Sequence, residues 1–408
     1  MTQPTEPAEP APAAGEAEVP AAGEAAAGAV GETAAGADTR EGLGLNTSTR
    51  DPEELRASME AWLVGTDLGS RVTSLEIPEH TGMSSLSVML EVEGGGAAPE
   101  RLVARLAPDA SSVPVFPTYD LEKQFLVLDH LSHHSDVAVP RVRGLELDPG
   151  PLGVPFFVMD RIDGDIPPDV LPYPFGSWLS EADRADQRRL QNAAVTALAG
   201  VHSVELSPEL AARLQFDRDG HTSLHRHVSE LRAYYEWCAG DGARSSVIED
   251  GFSWLEEHWP ASGTDGTVLS WGDARIGNMI FQDFTPVALL DWEMVGLAPR
   301  EVDLAWMIYL HRWFDDIAAM IDVEPMRHFM RVPDVVATYE AESGVAVRDL
   351  RFFLFYAALR HGAIMFRVAR RQIAYGQAVM PADANDLILH RTTLEEMMAG
   401  GYWEAFEA

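Results

Sequence analysis

The chain has 408 residues, enough for roughly two to four domains or for one enzyme with two lobes. With 30 Lys+Arg against 64 Asp+Glu, its formal charge is -34. A surface this acidic repels nucleic acid and anionic lipid, which excludes a non-specific DNA- or RNA-binding protein. Hydrophobic residues make up 46% and charged residues 23%, as in ordinary globular proteins.

Two residue types occur only once. Lys123 is the only lysine, so the other basic residues are arginines, and Cys238 is the only cysteine. A single cysteine excludes an intramolecular disulfide and multi-cysteine zinc sites, and it predicts a reducing, cytoplasmic location. No uninterrupted apolar run reaches the ~18 residues of a membrane span, and the first residues lack a signal-peptide pattern.

The N-terminal part of the chain divides at about residue 45. Residues 1–45 are rich in Ala, Gly, Glu and Pro and contain no aromatic residue, so we expect a disordered acidic tail. Asp51, followed by Pro52 and two glutamates, is typical of a helix start. We expect that helix to end near Gly65.

The next segment alternates between strand and helix patterns. Short β-type runs occupy 87–92, 102–106 and 154–159, and apolar spacing of three to four residues predicts a helix over 121–131. A mixed lobe of this kind predicts a small sheet with one packed helix.

The rest of the chain reads as mostly helical, interrupted by one β-type island at 268–294. The helical patterns are at 182–202, 229–238, 302–313, 348–375 and 382–398. We therefore predict an α+β fold of two lobes, with a β-rich lobe over 46–163 and a larger, mainly helical lobe over 164–408.

The β-type island carries the residues whose side chains could take part in catalysis or bind a metal ion. Asp273 and Asn278 are five residues apart, and Asp291 follows a short strand 13 residues later. A loop bearing Asp and Asn, with a second Asp at the end of the next strand, can converge on one point. Oxygen donors of this kind suit Mg²⁺, and a carboxylate that the metal does not use can accept a proton.

The full pattern of this island resembles the aminoglycoside phosphotransferase family, most closely an actinobacterial branch with a mycobacterial representative. The resemblance rests on WGDARIGN (271–278), VALLDWEM (287–294) and LAPREVDLAW (297–306), and it extends over residues 80–400. It implies a protein-kinase-like bilobal fold and transfer of the γ-phosphoryl group of ATP, with Mg²⁺, to a hydroxyl group of a small molecule.

The resemblance also implies roles for individual residues of the island. Asp273 would be the catalytic base or would orient the acceptor hydroxyl, and Arg275 would neutralise charge on the transferred phosphoryl group. Asn278 and Asp291 would be the Mg²⁺ ligands. Asp303 would hold the catalytic loop from behind. These roles fit phosphoryl transfer, which depends mainly on positioning and charge neutralisation.

The first lobe is expected to bind the nucleotide. Ser84 and Ser85 lie where the family places its phosphate-covering loop, just before a strand. Arg105 occupies the position of a strand lysine in protein kinases, and Glu122 on the following helix would pair with it.

Two further positions follow from the resemblance. The segment at 157–162 resembles the hinge, so the backbone of Asp160 and Ile162 would meet the adenine edge. Most of the family has His-Gly-Asp where this chain has Trp-Gly-Asp. We expect Trp271 to support the loop by packing, as the histidine does in its relatives.

Two other functions remain open from the sequence. A catalytically silent nucleotide-binding pseudoenzyme or sensor would explain Trp271 and Arg105, although Asp273, Asn278 and Asp291 are all present. A protein kinase is disfavoured, because little chain separates Asp291 from the next predicted helix and no activation segment fits there.

Overall fold

The structure is a computed structural model that describes residues 50–78, 85–94, 99–109, 112–169, 172–260 and 266–407. The predicted tail over 1–45 lies outside these residues. The first described helix, α1, spans Pro52–Leu63. Asp51 caps it by accepting hydrogen bonds from the backbone N–H groups of Glu53 (2.8 Å) and Glu54 (3.1 Å), so the predicted helix start is confirmed.

A five-stranded antiparallel sheet follows, in the order β1-β2-β3-β5-β4. Its strands are β1 Arg71–Glu76, β2 Leu86–Glu93, β3 Glu100–Leu106, β4 Val142–Glu146 and β5 Phe156–Asp160. Helix α2, Leu121–His134, is inserted between β3 and β4. The predicted strands and the predicted helix of this lobe are therefore all present.

The remaining helices make up most of the second lobe. They are α3 Trp178–Glu181, α4 Arg184–His202, α5 Pro208–Leu214, α6 Ser223–Ala239, α7 Ser246–Glu257, α8 Glu301–Met320, α9 Val332–Ser343, α10 Leu350–Ala374, α11 Arg391–Ala399 and α12 Glu404–Glu407. Short 3₁₀ turns are found at Tyr173–Phe175, Ile276–Asn278 and Ala384–Leu387.

The predicted β-type island forms two small antiparallel ribbons. Strand β6, Thr267–Ser270, pairs with β9, Gly296–Pro299, while β7, Met279–Gln282, pairs with β8, Thr285–Leu289. Because β6 and β9 enclose the β7–β8 hairpin in the sequence, the loops after β6 and β8 are brought side by side. This arrangement positions the candidate site.

Two hydrophobic cores stabilise these layers. The smaller one lies between α1 and one face of the five-stranded sheet, with Met59, Leu102 and Phe156 fully buried. The larger one runs through the second lobe and also takes up the buried face of α2. One face of the five-stranded sheet thus packs against α1, and the other faces α2 and the larger core.

Helix α10 is the longest helix of the described residues and contains a long apolar stretch. By length and composition it could cross a membrane, and 72% of its most apolar window is buried inside the protein. It packs against α8, α6 and α7. The sequence pattern did not predict a span here because charged residues interrupt the run.

The cap of α1 gives a direct test of this lobe's first element. Asp51→Ala should lower the free energy of unfolding by about 1 kcal/mol, because two backbone N–H groups lose their acceptor. Asp51→Asn, which can still cap, should remain close to the wild type. Urea unfolding measures both, and an unchanged midpoint in the alanine variant would contradict the assigned cap.

Candidate active site

The loop after β6 turns sharply at Gly272. This residue has φ +91°, a conformation that favours glycine, and a Cβ there would overlap the carbonyl oxygen of Met294. Arg360 on α10 donates to the carbonyl oxygen of Gly272 at 2.9 Å. The turn therefore runs close against the segment after β8 and is held from α10.

Asp303 holds this loop from behind. It is completely buried and accepts hydrogen bonds from the Ser270 hydroxyl at 2.9 Å and the backbone N–H groups of Trp271 (2.8 Å) and Gly272 (3.0 Å). His202 on α4 lies 3.0 Å from the same carboxylate. Burial alone would raise the pKa of Asp303, but these hydrogen bonds and His202 more than offset it, so its pKa lies below the ordinary value.

Trp271 connects the two loops of the site. Its indole N–H donates to the carbonyl oxygen of Leu290 at 2.8 Å, and its ring lies 5.6 Å from that of Trp292. Leu290 and Trp292 flank Asp291. Trp271 thus contacts the second loop by packing and by one hydrogen bond.

The carboxylate of Asp273 is fixed by three side chains. It accepts hydrogen bonds from the Trp306 indole (2.7 Å), the Asn278 amide (2.7 Å) and the Arg275 Nε (3.0 Å). Burial alone would raise the pKa of Asp273, but attraction to Arg275 and these hydrogen bonds hold it below its usual value. Asp273 is therefore an ionised group in a fixed orientation at neutral pH.

Asn278 and Asp291 lie on adjacent backbones. The N–H of Leu290 donates to the carbonyl oxygen of Asn278 at 2.8 Å, and Asp291 adopts a left-handed backbone conformation with φ +58°. The Asn278 amide nitrogen is the atom that donates to Asp273. Its side-chain oxygen is then the atom suited to a cation.

The donor set determines which cation could fit. Among the described residues, no group of three or more His, Cys, Asp and Glu side chains is placed to hold a metal ion. One amide and one carboxylate oxygen are a set that suits Mg²⁺, which keeps several of its waters, and they do not suit Zn²⁺.

Arg105 reaches the site from the first lobe. Its guanidinium donates to the Asp291 carboxylate at 3.0 Å and to the Ser87 hydroxyl at 3.4 Å. The expected pair between Arg105 and Glu122 is absent. Glu122 lies instead on the face of α2 that contacts α5, where it accepts from Arg213 at 3.4 Å, so the helix turns this residue away from β3.

The predicted hinge and phosphate-loop residues lie at the edge of the first lobe. The backbone N–H of Asp160 donates to the backbone carbonyl oxygen of Arg141 at 2.9 Å, and its carboxylate accepts from the Arg143 guanidinium at 2.8 Å. The adenine contact expected of Asp160 would therefore have to use its carbonyl oxygen. Ile162 lies two residues beyond β5 and is half-buried.

Of the two serines in the predicted phosphate loop, the structure describes only Ser85. Ser84 lies outside the described residues. Ser85, immediately before β2, is buried at 5% exposure, and its hydroxyl has no hydrogen-bond partner within the described chain. An unpaired buried hydroxyl is costly, so this residue is suited to an incoming acceptor group.

The sequence interpretation missed the second partner of Arg275. Besides Asp273, Arg275 forms an ion pair with Asp169, which comes from the segment before the Tyr173–Phe175 turn. Burial alone would lower the pKa of Arg275, but the two carboxylates raise it above its ordinary value. Asp169 is 106 residues away in the chain, so no local motif could reveal it.

Replacing the buried Asp303 should destabilise the protein strongly. Asp303→Asn places amide hydrogens opposite donors, and breaking a buried charged network of this kind costs about 3–5 kcal/mol. The pKa of Asp303 is lower in the folded than in the unfolded protein. The ionised carboxylate therefore contributes its full stabilisation above the unfolded pKa of about 3.9, and this stabilisation is lost as the pH falls through the folded pKa.

Urea unfolding at pH 7 and over an acid series measures this effect. The difference in free energy of unfolding between wild type and Asp303→Asn should be largest at pH 7 and should become smaller below a pH of about 4. Asp136→Asn, at an exposed position, is the matched control and should leave stability unchanged. A gap that is constant with pH would contradict a role for the carboxylate charge.

Comparisons with known proteins identify the family of the chain. The profile of the phosphotransferase enzyme family matches residues 78–337, more than half of the chain. The chain is 27% identical over 234 residues to the Arabidopsis thaliana protein named probable acyl-CoA dehydrogenase IBR3, and 25% identical over 288 residues to acyl-CoA dehydrogenase family member 10 of Mus musculus. These matches take in 55% and 69% of this chain but only 26% and 25% of those proteins.

Solved structures share the fold. A Ralstonia eutropha protein described as a candidate aminoglycoside phosphotransferase superposes with a TM-score of 0.59 at 20% identity, covering 86% of this chain and 98% of that one. Plasmodium vivax ethanolamine kinase gives 0.56 at 13% identity, covering 88% and 95%.

A thermostable mutant of aminoglycoside phosphotransferase APH(4)-Ia, in ternary complex with AMP-PNP and hygromycin B, gives 0.51 at 12% identity, covering 84% and 98%. The predicted α+β kinase-like fold is confirmed by these likenesses. With the family profile spanning both lobes and both loops of the site, the chain belongs to the phosphotransferase enzyme family.

Proposed function

We propose that this protein transfers the γ-phosphoryl group of ATP to a hydroxyl group of a small molecule. The observation that carries the proposal is the Asp273 carboxylate, fixed by Trp306, Arg275 and Asn278 beside the loop of Asp291. Membership of the phosphotransferase enzyme family supports the reaction class. The AMP-PNP and hygromycin B bound to the APH(4)-Ia neighbour support a nucleotide donor and a small-molecule acceptor.

The proposed step is a direct displacement at the γ-phosphorus. A bond forms from the acceptor hydroxyl oxygen to phosphorus, and the bond from phosphorus to the β–γ bridging oxygen breaks, so ADP leaves with that electron pair. The hydroxyl proton passes to Asp273. Because the pKa of Asp273 lies below its usual value, it serves first to orient the hydroxyl and takes the proton late in the step.

Arg275 would neutralise charge on the transferred phosphoryl group, and three further residues are assigned to the charge of the donor. Asn278 and Asp291 would hold Mg²⁺, which when bound neutralises charge on the phosphate oxygens. Arg105, at the position of the kinase lysine, would contact the phosphates from the first lobe. The only lysine does not take this place, since Lys123 donates to the carbonyl oxygen of Val295 at 3.1 Å.

The single cysteine relates to the location of the protein, and the acidic composition relates to the kind of partner it binds. Cys238 is buried and free, and burial raises the pKa of its thiol to about 12, so it is inert. The proposed cytoplasmic location rests on the cysteine count alone. The net charge of -34 supports a small-molecule partner over a nucleic acid.

Asp273→Asn should abolish acceptor-dependent turnover. Loss of the proton acceptor is expected to lower kcat by about 10²- to 10⁴-fold. ADP release with Mg·ATP is measured over a panel of aminoglycosides, macrolides, amino alcohols, alcohols and sugars, and the phosphorylated product is identified by mass spectrometry. Asp322→Asn, exposed and distant in sequence, is the matched control.

The outcomes separate the enzyme from a silent nucleotide-binding protein. Acceptor-dependent ADP release that Asp273→Asn removes and Asp322→Asn retains supports the proposal. Nucleotide binding with no acceptor-dependent release over the whole panel would favour the silent protein.

A further inference from the structure

Asp169 is held in place by contacts on both sides of it in the chain. The segment that carries it runs from the end of β5 to α3 and thus connects the two lobes. Before Asp169, Asp165 pairs with Phe281 of β7 through two backbone hydrogen bonds of 2.9 and 2.8 Å. After it, Tyr173 is buried in the larger core, and its backbone N–H donates to the carbonyl oxygen of Pro168 at 2.8 Å. Asp169 therefore has a defined place beside the loop after β6.

Gly277, on the loop after β6, makes room for the side chain of Asp169. A Cβ at Gly277 would overlap both carboxylate oxygens of Asp169 and Nη1 of Arg275. Gly277 is not among the glycines with a positive φ, so its backbone conformation does not require glycine. The missing side chain serves close packing instead, and it lets the Asp169 carboxylate reach Arg275.

The guanidinium of Arg275 is shared between two carboxylates. Its Nε donates to Oδ2 of Asp273 at 3.0 Å, and its Nη1 donates to Oδ2 of Asp169. Oδ2 of Asp273 also accepts from the Asn278 amide at 2.7 Å, and its Oδ1 accepts from the Trp306 indole at 2.7 Å. An acceptor hydroxyl that approaches Asp273 must therefore compete with a donor that is already bound. Of these donors, Arg275 is the one that a second carboxylate holds.

Asp169 can accept a further hydrogen bond. Its Oδ1 atom is buried and has no hydrogen-bond partner within the described chain. A carboxylate can bind a guanidinium through both oxygens, with two parallel N–H bonds, and this is a strong arrangement. Because an unpaired buried acceptor is costly, a second N–H of Arg275 at Oδ1 would compensate for the loss of its bond to Asp273.

We propose that Asp169 is a positioning residue, which keeps the Arg275 guanidinium beside the transferred phosphoryl group while Asp273 binds the acceptor hydroxyl. The inference rests on the proposed function and adds a residue to the same site. Asp169 forms and breaks no covalent bond and acts through Arg275. Without its charge, Arg275 would bond to Asp273 alone and would compete there with the acceptor hydroxyl, so the cation would be lost to the phosphoryl group.

Binding of ADP with aluminium fluoride, which imitates the transferred phosphoryl group, tests the proposal without a known acceptor. Isothermal titration calorimetry of the full chain with Mg²⁺ gives the Kd of ADP with and without aluminium fluoride. In the wild type we expect aluminium fluoride to lower this Kd by about 100-fold or more, as a transition-state analogue does. In Asp169→Asn the Kd of ADP alone should be unchanged, and the aluminium fluoride effect should be about ten-fold smaller, because Arg275 loses a charged partner.

A double-mutant cycle tests whether Asp169 acts through Arg275. Arg275→Met should itself reduce the aluminium fluoride effect by about ten-fold or more, and adding Asp169→Asn to it should cause no further change. Gly277→Ala is a second route, because its Cβ displaces the Asp169 carboxylate without removing a charge, and it should also reduce the effect. Asp165→Asn, at an exposed position on the same segment, is the matched control and should behave as the wild type.

The failures of the two proposals are distinguishable. An aluminium fluoride effect in Asp169→Asn that equals or exceeds that of the wild type means that Asp169 only competes for Arg275, and it overturns the inference alone. A further loss when Asp169→Asn is added to Arg275→Met means that Asp169 does not act through Arg275, and it also overturns the inference. Absence of any aluminium fluoride effect in the wild type overturns the proposed function and this inference with it.

Discussion

The buried carboxylate of Asp303 is the constraint on which the site depends. It accepts hydrogen bonds from three consecutive residues at the end of β6, Ser270, Trp271 and Gly272, and it is paired with His202 from α4. A buried charge is tolerated only when such partners surround it. The same contacts that make Asp303 tolerable therefore fix the start of the loop that presents Asp273.

Hydrogen bonds connect the loop that Asp303 holds to the loop after β8. Trp271 binds the carbonyl oxygen of Leu290, and Leu290 in turn donates to the carbonyl oxygen of Asn278. The loops after β6 and β8 thus form one rigid unit, with Asp273 and Asp291 at its surface. Since these bonds lie behind the reacting groups, the site is preorganised before any substrate binds.

Sequence reasoning recovered what is local and periodic. Apolar spacing predicted β2, β3 and β5 and the helices α2, α4, α6, α8 and α10, and the series Asp273, Asn278, Asp291 follows from residue type and interval along a short piece of chain. Helices α5, α7 and α9 were not predicted, and the helix predicted over 382–398 is a 3₁₀ turn at Ala384–Leu387 followed by α11. The partners of the arginines could not be recovered in this way. Glu122 is close to Arg105 in sequence, yet the rotation of α2 turns it toward Arg213, and the carboxylate that Arg105 meets is 186 residues away.

The same limit explains why the sequence did not predict the second partner of Arg275. Asp169 lies in the segment before the Tyr173–Phe175 turn, 106 residues from Arg275, and only the packing of the second lobe brings the two side chains together. Residue type and spacing identify a charged loop, but they do not identify the carboxylate that a distant segment places beside it.

The ion pairs of the site determine which contacts the proposed nucleotide would have to displace. Arg105 is paired with Asp291, and Arg275 with Asp169 and Asp273, so both cations assigned to phosphate already have carboxylate partners. Under the proposed function, phosphate oxygens would gain these cations only by sharing or replacing a carboxylate, and a divalent cation at Asp291 would compensate for such an exchange. Because Arg105 comes from β3 and Asp291 from the second lobe, the exchange would involve residues of both lobes.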